Sequence, residues 1–351
     1  MKEDTLYRNL ARTVNEIVKV ASYDANEAVE TLRASMAELQ PKSAAVGVDI
    51  ISQADERYET YKTAKEHFGE LYIPSGLQEL DEIINGWHMG EELVCVFART
   101  GVGKSWIMVK FAQSAWKFGK NVGFISPEMS PDRIGFRFDS ASKGFSATDL
   151  IRGDEVDGYK EWITELKGEK NKFVVATPKE FGAKVTVEKL RAFATNNELE
   201  ILFIDEISSV KDTRPTRGRS ITDIMTQVAE DLMELSLELG IPIIVTSQAN
   251  RKGATDETPE LETIRNSDGI SHKASKVISL YQRNGEETSL EVSVKKHRDG
   301  KSGDTLRYRW YIDKGEYEFE GLVEKEEQSP QRTSERHKQV EEEFFDDEGE
   351  F

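Results

Sequence analysis

The chain has 351 residues, 37% of them hydrophobic, with 47 basic and 65 acidic side chains and a formal net charge of −18. This length predicts one large domain with smaller additions. No apolar run is long enough to cross a bilayer, and the start Met1-Lys2-Glu3-Asp4 lacks a signal-peptide core. The single cysteine, Cys95, excludes internal disulfides and a zinc site. We therefore expect a cytoplasmic protein that does not bind membranes. The acidic total does not exclude nucleic acid, because binding depends on the local field.

The region before the main domain is predicted to be helical. Residues 1–48 read as two amphipathic helices that are too short to bury a core alone, and residues 49–70 read as a more polar linker helix. The main domain is predicted to span residues 71–320. Charge dominates residues 321–351, so an acidic, disordered tail is predicted there.

A phosphate-binding loop is the strongest motif in the chain. It follows an apolar strand and opens an amphipathic helix, which is the context that the motif requires. Glycines let backbone N–H groups curl around phosphates, and the helix N-terminus adds positive potential. Lys104 can reach the β- and γ-phosphates, and the Ser105 hydroxyl can ligate Mg²⁺. The loop consists of Ala98, Arg99, Thr100, Gly101, Val102, Gly103, Lys104 and Ser105. The motif predicts a nucleoside-triphosphatase that uses Mg²⁺.

Strands alternate with helices beyond Pro74, where Ser75 and Gln78 suit a capping box for the first helix of the domain. This alternation predicts an α/β fold with a mainly parallel sheet. Strands of the parallel part are predicted at Leu93–Phe97, Val122–Ser126, Phe173–Ala176, Ile201–Asp205 and Ile241–Ser247. A later antiparallel set is predicted at Val277–Tyr281, Leu290–Lys295 and Leu306–Ile312.

Polar residues at the ends of these strands are candidates for the rest of the chemistry. Asp205 ends an apolar strand and can hold the Mg²⁺ shell beside the phosphate loop. Glu128 follows a neighbouring strand and could polarise the attacking water, with Glu206 as the competing base. Because side chains alternate along a strand, only one of residues 205 and 206 is expected to face the magnesium. Gln248 could hydrogen-bond the γ-phosphate and report its presence to the following loop.

A basic sequence occupies the predicted turn of the late hairpin, where Lys296 and Arg298 flank His297. A loop-tip arginine is usually just solvated. In a ring of ATPases it could instead reach a neighbour's γ-phosphate and stabilise the transition state.

Several stretches, in this order, resemble the C-terminal motor domain of DnaB-type replicative helicases, which is RecA-like. They are Ile73-Pro74-Ser75-Gly76-Leu77, Asn85-Gly86-Trp87, the phosphate loop, Phe124-Ile125-Ser126-Pro127-Glu128-Met129, Phe203-Ile204-Asp205, Ser247-Gln248-Ala249-Asn250-Arg251, Ile264-Arg265-Asn266-Ser267-Asp268-Gly269-Ile270 and Lys296-His297-Arg298-Asp299-Gly300. The resemblance covers roughly residues 71 to 320.

This resemblance implies a RecA-like P-loop core that hydrolyses ATP and assembles as a hexameric ring. Such rings translocate on single-stranded DNA, typically 5′ to 3′, and unwind forked DNA. Glu128 matches the family's catalytic glutamate, which favours it over Glu206, and Gln248 matches the γ-phosphate sensor. Lys296 and Arg298 match the basic pair donated across the subunit interface. The linker helix would dock on the adjacent subunit.

Two loops are expected to face the DNA channel, because sequence-independent binding needs cations along the phosphates. The first follows Asp205 and the second follows Gln248. The candidate cations are Lys211, Arg214, Arg217 and Arg219 in the first loop and Arg251, Lys252 and Arg265 in the second.

The chain also departs from the family. Its N-terminal region is shorter, so we do not expect primase recruitment. The family's Glu-Gln-Asp-Ala run is replaced by Ser271-His272-Lys273-Ala274, and Glu206 stands where the family often has an aromatic residue. The acidic, Phe-ending tail is interpreted as a solubilising segment, a docking site for DNA polymerase or single-strand-binding protein, or a DNA mimic. The short chain and this tail favour a phage or mobile-element source.

Two alternative functions remain open from the sequence. One is a RecA/RadA-type recombination ATPase that forms filaments on DNA, although the linker helix and the Lys-His-Arg hairpin favour a ring. The other is a non-motor loader or nucleotide-switched scaffold, against which the full set of catalytic positions argues.

Overall fold

The computed structural model describes residues 49–66, 71–90, 92–215, 217–249, 259, 261, 264, 268–283, 286 and 288–323. The chain divides into two units, Met1–Glu66 and His67–Phe351. The two predicted N-terminal helices and residues 324–351 of the predicted acidic tail lie outside the described residues. Gly321 and Leu322, which the prediction assigned to the tail, belong to the last strand of the second unit. So do Arg251, Lys252 and Arg265 of the second predicted DNA loop.

In the first unit, the described residues form helix α1 (Ala54–Glu66). The Asp49 carboxylate precedes it and accepts a hydrogen bond from the Ile51 amide at 3.0 Å. None of the residues of α1 is buried within the described part of the chain, and Tyr58 and Tyr61 are exposed. The polar sequence of residues 49–70 thus contains a helix that has no apolar face of its own to bury.

The second unit alternates strands and helices. Its strands are β1 (Tyr72–Ile73), β2 (Trp87–His88), β3 (Glu92–Ala98), β4 (Val122–Ile125), β5 (Phe173–Ala176), β6 (Ile201–Ile204), β7 (Pro242–Gln248), β8 (Lys276–Tyr281), β9 (Ser289–His297), β10 (Thr305–Tyr311) and β11 (Glu316–Leu322). Its helices are α2 (Gln78–Ile84), α3 (Lys104–Lys117), α4 (Pro131–Lys143), α5 (Ala147–Arg152), α6 (Tyr159–Leu166), α7 (Val187–Asn197), α8 (Ile221–Leu239) and α9 (Asp268–Lys273).

Nine of these strands form one sheet in the order β11-β10-β9-β8-β3-β7-β6-β4-β5. The strands from β8 to β5 in this order are parallel, and β9, β10 and β11 extend the sheet in antiparallel fashion. The α/β fold with a mainly parallel sheet is therefore confirmed. The prediction that Val277–Tyr281 belongs to the antiparallel set is wrong in part, because β8 pairs in parallel with β3 and antiparallel only with β9.

Both faces of the sheet are covered, and alternation along the central strand divides the core. Val94 and Val96 of β3 belong to a cluster with α3 and α4, whereas Leu93 and Phe97 belong to a cluster with α7 and α8. Every residue of β3 is buried, as expected for a parallel strand with helices on both faces. Burial raises the pKa of the Cys95 thiol to about 12, consistent with the interpretation of this residue as a small core side chain.

One local prediction is wrong, and the strand β11 was missed. Ser75 does not form a capping box with Gln78, because the N-cap of α2 is Leu77 and it has no side-chain cap. The Ser75 hydroxyl instead accepts from the Leu77 amide at 3.2 Å, and the Ser75 amide donates to the Asp81 carboxylate at 2.9 Å. Strand β11 was not predicted, although Glu316-Tyr317-Glu318-Phe319-Glu320 alternates polar and apolar residues, which is a strand signal. Among the described residues, no helix has the length and apolar character needed to cross a membrane.

Candidate nucleotide and DNA sites

The phosphate loop joins the central strand β3 to helix α3, with Gly103 as the N-cap of that helix. Gly101 and Gly103 have φ values of +89° and +90°, which side-chain-bearing residues rarely adopt. The loop therefore needs glycine at both positions for its backbone to curl. The amide groups of the loop and of the first turn of α3 form the anion-binding end of a helix.

Lys104 lies among three acids. Its ammonium donates to the Ala98 and Arg99 carbonyls at 3.2 and 3.3 Å. Burial lowers the pKa of Lys104, and the charges of Glu206, Asp205 and Glu128 oppose that shift, Glu206 most strongly. The fold thus gathers the predicted lysine and the three candidate acids around one site.

Asp205 directly follows β6 and is buried beside the loop. Its amide donates to the Ile125 carbonyl at 2.9 Å, and its carboxylate accepts from the Thr246 hydroxyl at 3.2 Å. Burial raises the pKa of Asp205, although hydrogen bonds from Ser105 and Thr246 and the charge of Lys104 act against the rise. The fold therefore brings Ser105 and Asp205 into contact.

This pair is chemically suited to Mg²⁺. Magnesium is usually held by one or two protein oxygens, with waters and phosphate oxygens completing the octahedron. Within the described part of the chain there is no group of three or more His, Cys, Asp or Glu residues that could hold a metal alone. A hydroxyl and a carboxylate at the phosphate loop match a metal that shares its ligands with a nucleotide.

Glu128 is exposed on a turn that the buried Ser126 closes. The Ser126 hydroxyl donates to the Met129 carbonyl at 2.9 Å and accepts from the Met129 amide at 3.1 Å. The Ser126 amide also donates to the Ala176 carbonyl at 2.9 Å, so the turn is fixed to β5. Glu128 is therefore held at the carboxyl edge of the sheet, close enough to affect Lys104.

The prediction was that only one of residues 205 and 206 faces the site, but the charges of both Asp205 and Glu206 act on Lys104. Strand β6 ends at Ile204, and Glu206 has a φ of +89° and a ψ of +103°. The alternation argument is wrong because these residues follow the strand rather than continue it. A strained φ at a residue with a side chain is typical of functional sites.

Gln248 is held in register with the phosphate loop. It lies opposite Ala98 in the pairing of β7 with β3, and the Ala249 amide donates to the Ala98 carbonyl at 3.0 Å. Ala249 also forms an isolated bridge with Ile264. The strand end that carries the predicted sensor is thus bonded both to the loop and to the residue that precedes Arg265.

Lys296 and Arg298 lie at the opposite end of the strands from the phosphate loop, beside the start of β8. Lys296 pairs with Val277 near the start of β8, whereas Ala98 pairs with Leu280 near its end. At about 3.3 Å per residue, the three residues between these pairs place the basic pair roughly 10 Å from the loop of the same chain along the strand direction. Lys296 donates to the Ser271 and His272 carbonyls at 2.8 and 3.0 Å, while Arg298 is exposed. These residues are not brought to the chain's own nucleotide site.

The cations of the first predicted DNA loop differ in their contacts. Arg214 and Arg219 form ion pairs with Asp212 at 2.8 and 2.5 Å. Lys211 donates to the Ser208 carbonyl at 2.9 Å, and Arg217 is exposed. The sequence placed these four cations in one group, but in the structure two form ion pairs, one donates to a carbonyl and one is exposed.

Sequence reasoning missed three residues at the site. Thr246 bonds to Asp205, and Trp310 of β10 lies against Gly103. The Arg137 guanidinium of α4 stacks on the Trp106 ring, with Cζ 4.5 Å from the centroid. Burial lowers the pKa of Arg137 and the charge of Asp205 opposes this. Only Thr246 had a usable signal, since it lies two residues before Gln248 on the same strand.

A phosphate loop after a central parallel strand, with an acid after a neighbouring strand, defines a P-loop nucleoside-triphosphatase domain. The family model for the DnaB-like helicase C-terminal domain matches residues 72–317. The chain belongs to this family.

Several curated proteins are similar to the chain. A probable plasmid replicative DNA helicase of Chlamydia psittaci is 28% identical over 272 residues, which are 74% of this chain and 58% of that protein. The replicative DNA helicase DnaB of Helicobacter pylori (strain ATCC 700392 / 26695) is 28% identical over 221 residues, 60% of this chain and 43% of that protein. The chain spans about half the length of these relatives.

Two solved structures share the fold. A solved ATPase domain aligns with a TM-score of 0.66 at 21% identity, over 78% of this chain and 100% of that domain. A structure described as a DnaB-like replicative helicase and its interactions with primase aligns with a TM-score of 0.65 at 20% identity, over 90% of this chain and 77% of that one. At these identities the likeness concerns the fold.

Proposed function

We propose that the chain is an ATP-dependent replicative DNA helicase that works as a hexameric ring on single-stranded DNA, moving 5′ to 3′. The observation that carries the proposal is the site itself. Lys104, Ser105 and Asp205 meet at the phosphate loop of a DnaB-like domain, with Glu128 and Gln248 at the same sheet edge. Membership of the family and the names of the similar proteins support the choice of DNA unwinding among P-loop activities.

In this proposal, water attacks the γ-phosphorus of ATP in line with the bond to the β-phosphate oxygen, and that bond breaks. Glu128 orients the water and takes its proton, and the products are ADP and inorganic phosphate. Lys104 and the loop amides neutralise charge on the transferring group. Ser105 and Asp205 would hold Mg²⁺, which, when bound, supplies charge neutralisation on the phosphates.

Gln248 would sense the γ-phosphate. Because β7 is bonded to the loop through Ala249 and Ala98, a change at the γ-phosphate can pass to the segment that follows β7. That segment contains Arg251, Lys252 and Arg265, the proposed DNA contacts of the second loop. Lys211, Arg214, Arg217 and Arg219 are the candidates of the first.

Lys296 and Arg298 would act on the nucleotide of an adjacent subunit. Their position away from the chain's own loop supports a role in trans, because they have no part in the site of their own subunit. Burial and the like charge of Arg298 both lower the pKa of Lys296, so the two cations are close together. The proposed partners of the acidic tail, DNA polymerase or single-strand-binding protein, rest on the sequence alone.

Strand displacement on forked DNA tests this function. Purified chain with ATP and Mg²⁺ is expected to release the labelled strand from a fork with a 5′ single-stranded tail. Lys104→Ala is expected to release none, and a fork with only a 3′ tail is expected to stay paired. ATP-dependent filaments in electron micrographs, without strand release, would instead favour the recombination ATPase.

A further inference from the structure

The loop between β6 and α8 is closed by a buried carboxylate. The Asp212 side chain is 1% exposed and accepts from the Arg214 guanidinium at 2.8 Å and from the Arg219 guanidinium at 2.5 Å. The Arg214 amide also donates to Asp212 at 3.0 Å. Asp212 therefore joins the two ends of the segment from residue 214 to residue 219.

Further contacts fix this closed loop to the body of the domain. Arg214 donates to Asp231 of α8 at 3.2 Å. The Lys211 amide donates to the Val185 carbonyl at 2.8 Å, and the buried Val210 forms a bridge with Val185. Ser220 and Asp223 form a capping box that begins α8 directly after the loop. These contacts hold both ends of the loop on the body of the domain.

The carboxylate is strongly held in its charged form. Burial raises the pKa of Asp212, but hydrogen bonds from Arg214 and Arg219 outweigh that effect and lower the pKa to about 2. Moving either arginine to a DNA phosphate would leave the Asp212 carboxylate, whose side chain is 1% exposed, with less compensation for its charge. Arg214 and Arg219 are therefore poor candidates for direct contacts with DNA.

Arg217 differs from its neighbours. It is exposed, it lies between the two clamped arginines in sequence, and no ion pair joins it to a residue in the described part of the chain. Gly218 beside it has a φ of +78°, a turn conformation that glycine adopts without strain. A cation on a braced loop can reach a phosphate with little loss of backbone conformational entropy.

We propose that Asp212 is a positioning residue for DNA: it clamps Arg214 and Arg219 so that the loop presents Arg217 to the phosphates of single-stranded DNA. This inference rests on the proposed function. Of the four cations of the first loop, Arg217 contacts DNA, and Arg214 and Arg219 form the clamp. Lys211, bonded to the Ser208 carbonyl, belongs with the base of the loop.

Asp212→Asn distinguishes positioning from simple electrostatics, because the two predict opposite changes in the affinity for DNA. The substitution makes the loop more positive, so unpositioned cations would bind DNA more tightly. Positioning predicts that affinity for labelled oligo-dT, measured by anisotropy with a non-hydrolysable ATP analogue, falls by about three- to tenfold. The salt slope is expected to shrink by about 0.7, the value of one phosphate contact on single strands.

Two further variants complete the test. Arg217→Ala is expected to weaken oligo-dT binding as much as Asp212→Asn, and the double variant to be no more than about twofold weaker than either, because both remove the same contact. Asp157→Asn makes the same change in net charge at an exposed site and is expected to bind like wild type or slightly tighter.

The outcomes are distinguishable. Suppose that the wild-type chain binds oligo-dT. The inference is then overturned if a folded Asp212→Asn variant binds as tightly or more tightly, or if Arg217→Ala loses no affinity. Either result leaves the helicase proposal intact. A wild-type chain that binds no oligo-dT overturns the helicase proposal itself. If Asp212→Asn fails to fold by circular dichroism, Asp231→Asn, which removes the outer anchor of Arg214, is expected to weaken binding in the same direction, and its failure to do so counts against the clamp.

Discussion

The indole of Trp310 lies directly over Gly103 of the phosphate loop: a β-carbon built at residue 103 would come within 2.2 Å of the indole Cη2. Trp310 is buried on β10, in the antiparallel extension of the sheet. The extension that carries Lys296 and Arg298 on β9 and the following turn therefore also forms one wall of the chain's own nucleotide loop. The only side chain that fits at residue 103 is the hydrogen of glycine.

Gly103→Ala is expected to destabilise the domain more than Gly101→Ala. Both glycines have a φ near +90°, so alanine at either costs about 1–3 kcal/mol of backbone strain. Only residue 103 adds overpacking, about a further 1–3 kcal/mol, because nothing lies within 4 Å of a β-carbon at residue 101. Thermal unfolding should separate the variants by about 2–4 °C for each kcal/mol.

Trp310→Leu tests the cause of that difference. In the Gly103→Ala background the smaller side chain makes room for the new methyl group, so part of the lost stability should return. If the double variant is as unstable as the sum of the two single variants, the contact between these residues is not the source of the penalty.

Ser126→Ala is expected to lower the kcat of ATP hydrolysis about tenfold or more while changing KM little. The hydroxyl closes the turn that carries Glu128, so its loss frees the proposed base without touching the phosphate loop. Steady-state kinetics measure both constants. Ser146→Ala, which removes the cap of α5 instead, serves as the control and should leave kcat within about twofold. A rise in KM alone would point away from Glu128.

Glu128→Gln is expected to retain ATP binding and to stop turnover, because the amide cannot accept the proton of the attacking water. Glu206→Gln is expected to turn over at a rate within several-fold of wild type, although its charge acts on Lys104. Equilibrium binding of a labelled ATP analogue and phosphate release check the two variants side by side. The reverse pattern would make Glu206 the base.

Asp212 should contribute to stability in a defined pH window. Its folded pKa of about 2 lies below the ordinary value of 3.8, so the unfolded chain takes up this proton first as the pH falls. The contribution is therefore complete well above pH 3.8 and is lost as the pH falls towards about 2. Urea unfolding of wild type and Asp212→Asn should give a stability difference that shrinks through this window. A difference that stays constant down to pH 2 would contradict the clamp.

Arg298→Ala subunits are expected to poison mixed oligomers. If Arg298 completes a neighbour's site, each variant subunit inactivates the adjacent one, and ATPase activity falls more steeply than the fraction of wild-type subunits. Lys301→Ala, in the same exposed turn, is the matched control and should dilute activity in proportion. A strictly proportional loss with Arg298→Ala would argue against a role in trans.

The fold was predictable where the sequence repeats a simple physical pattern. Apolar runs such as Ile201–Ile204 between amphipathic helices specify buried parallel strands, and the phosphate loop marks the central one. The pattern could not say that β8 pairs with β3, because the partner of a buried strand depends on the whole sheet. The prediction also missed β11, although Glu316-Tyr317-Glu318-Phe319-Glu320 alternates polar and apolar residues and so carried a strand signal.

The motifs of the candidate site were predictable from the sequence, but the contacts that hold the site residues in place were not. Lys104, Ser105 and Asp205 follow from strand ends and a glycine loop, but the contacts that hold them come from distant segments. Thr246 reaches Asp205 across 41 residues, and Trp310 reaches Gly103 from the far end of the domain. The error about Glu206 has a local cause. Strand β6 ends at Ile204, one residue before the predicted end at Asp205, so the alternation of side chains does not extend to residues 205 and 206.

The most direct measurement of the central claim is ATP turnover by the purified chain as single-stranded DNA is added, with oligomer mass recorded in the same solution. The account predicts hexamers with ATP and Mg²⁺ and a turnover that rises severalfold with oligo-dT, all of it lost in Lys104→Ala. A chain that stays monomeric in every nucleotide state, with turnover that does not respond to DNA, would contradict it.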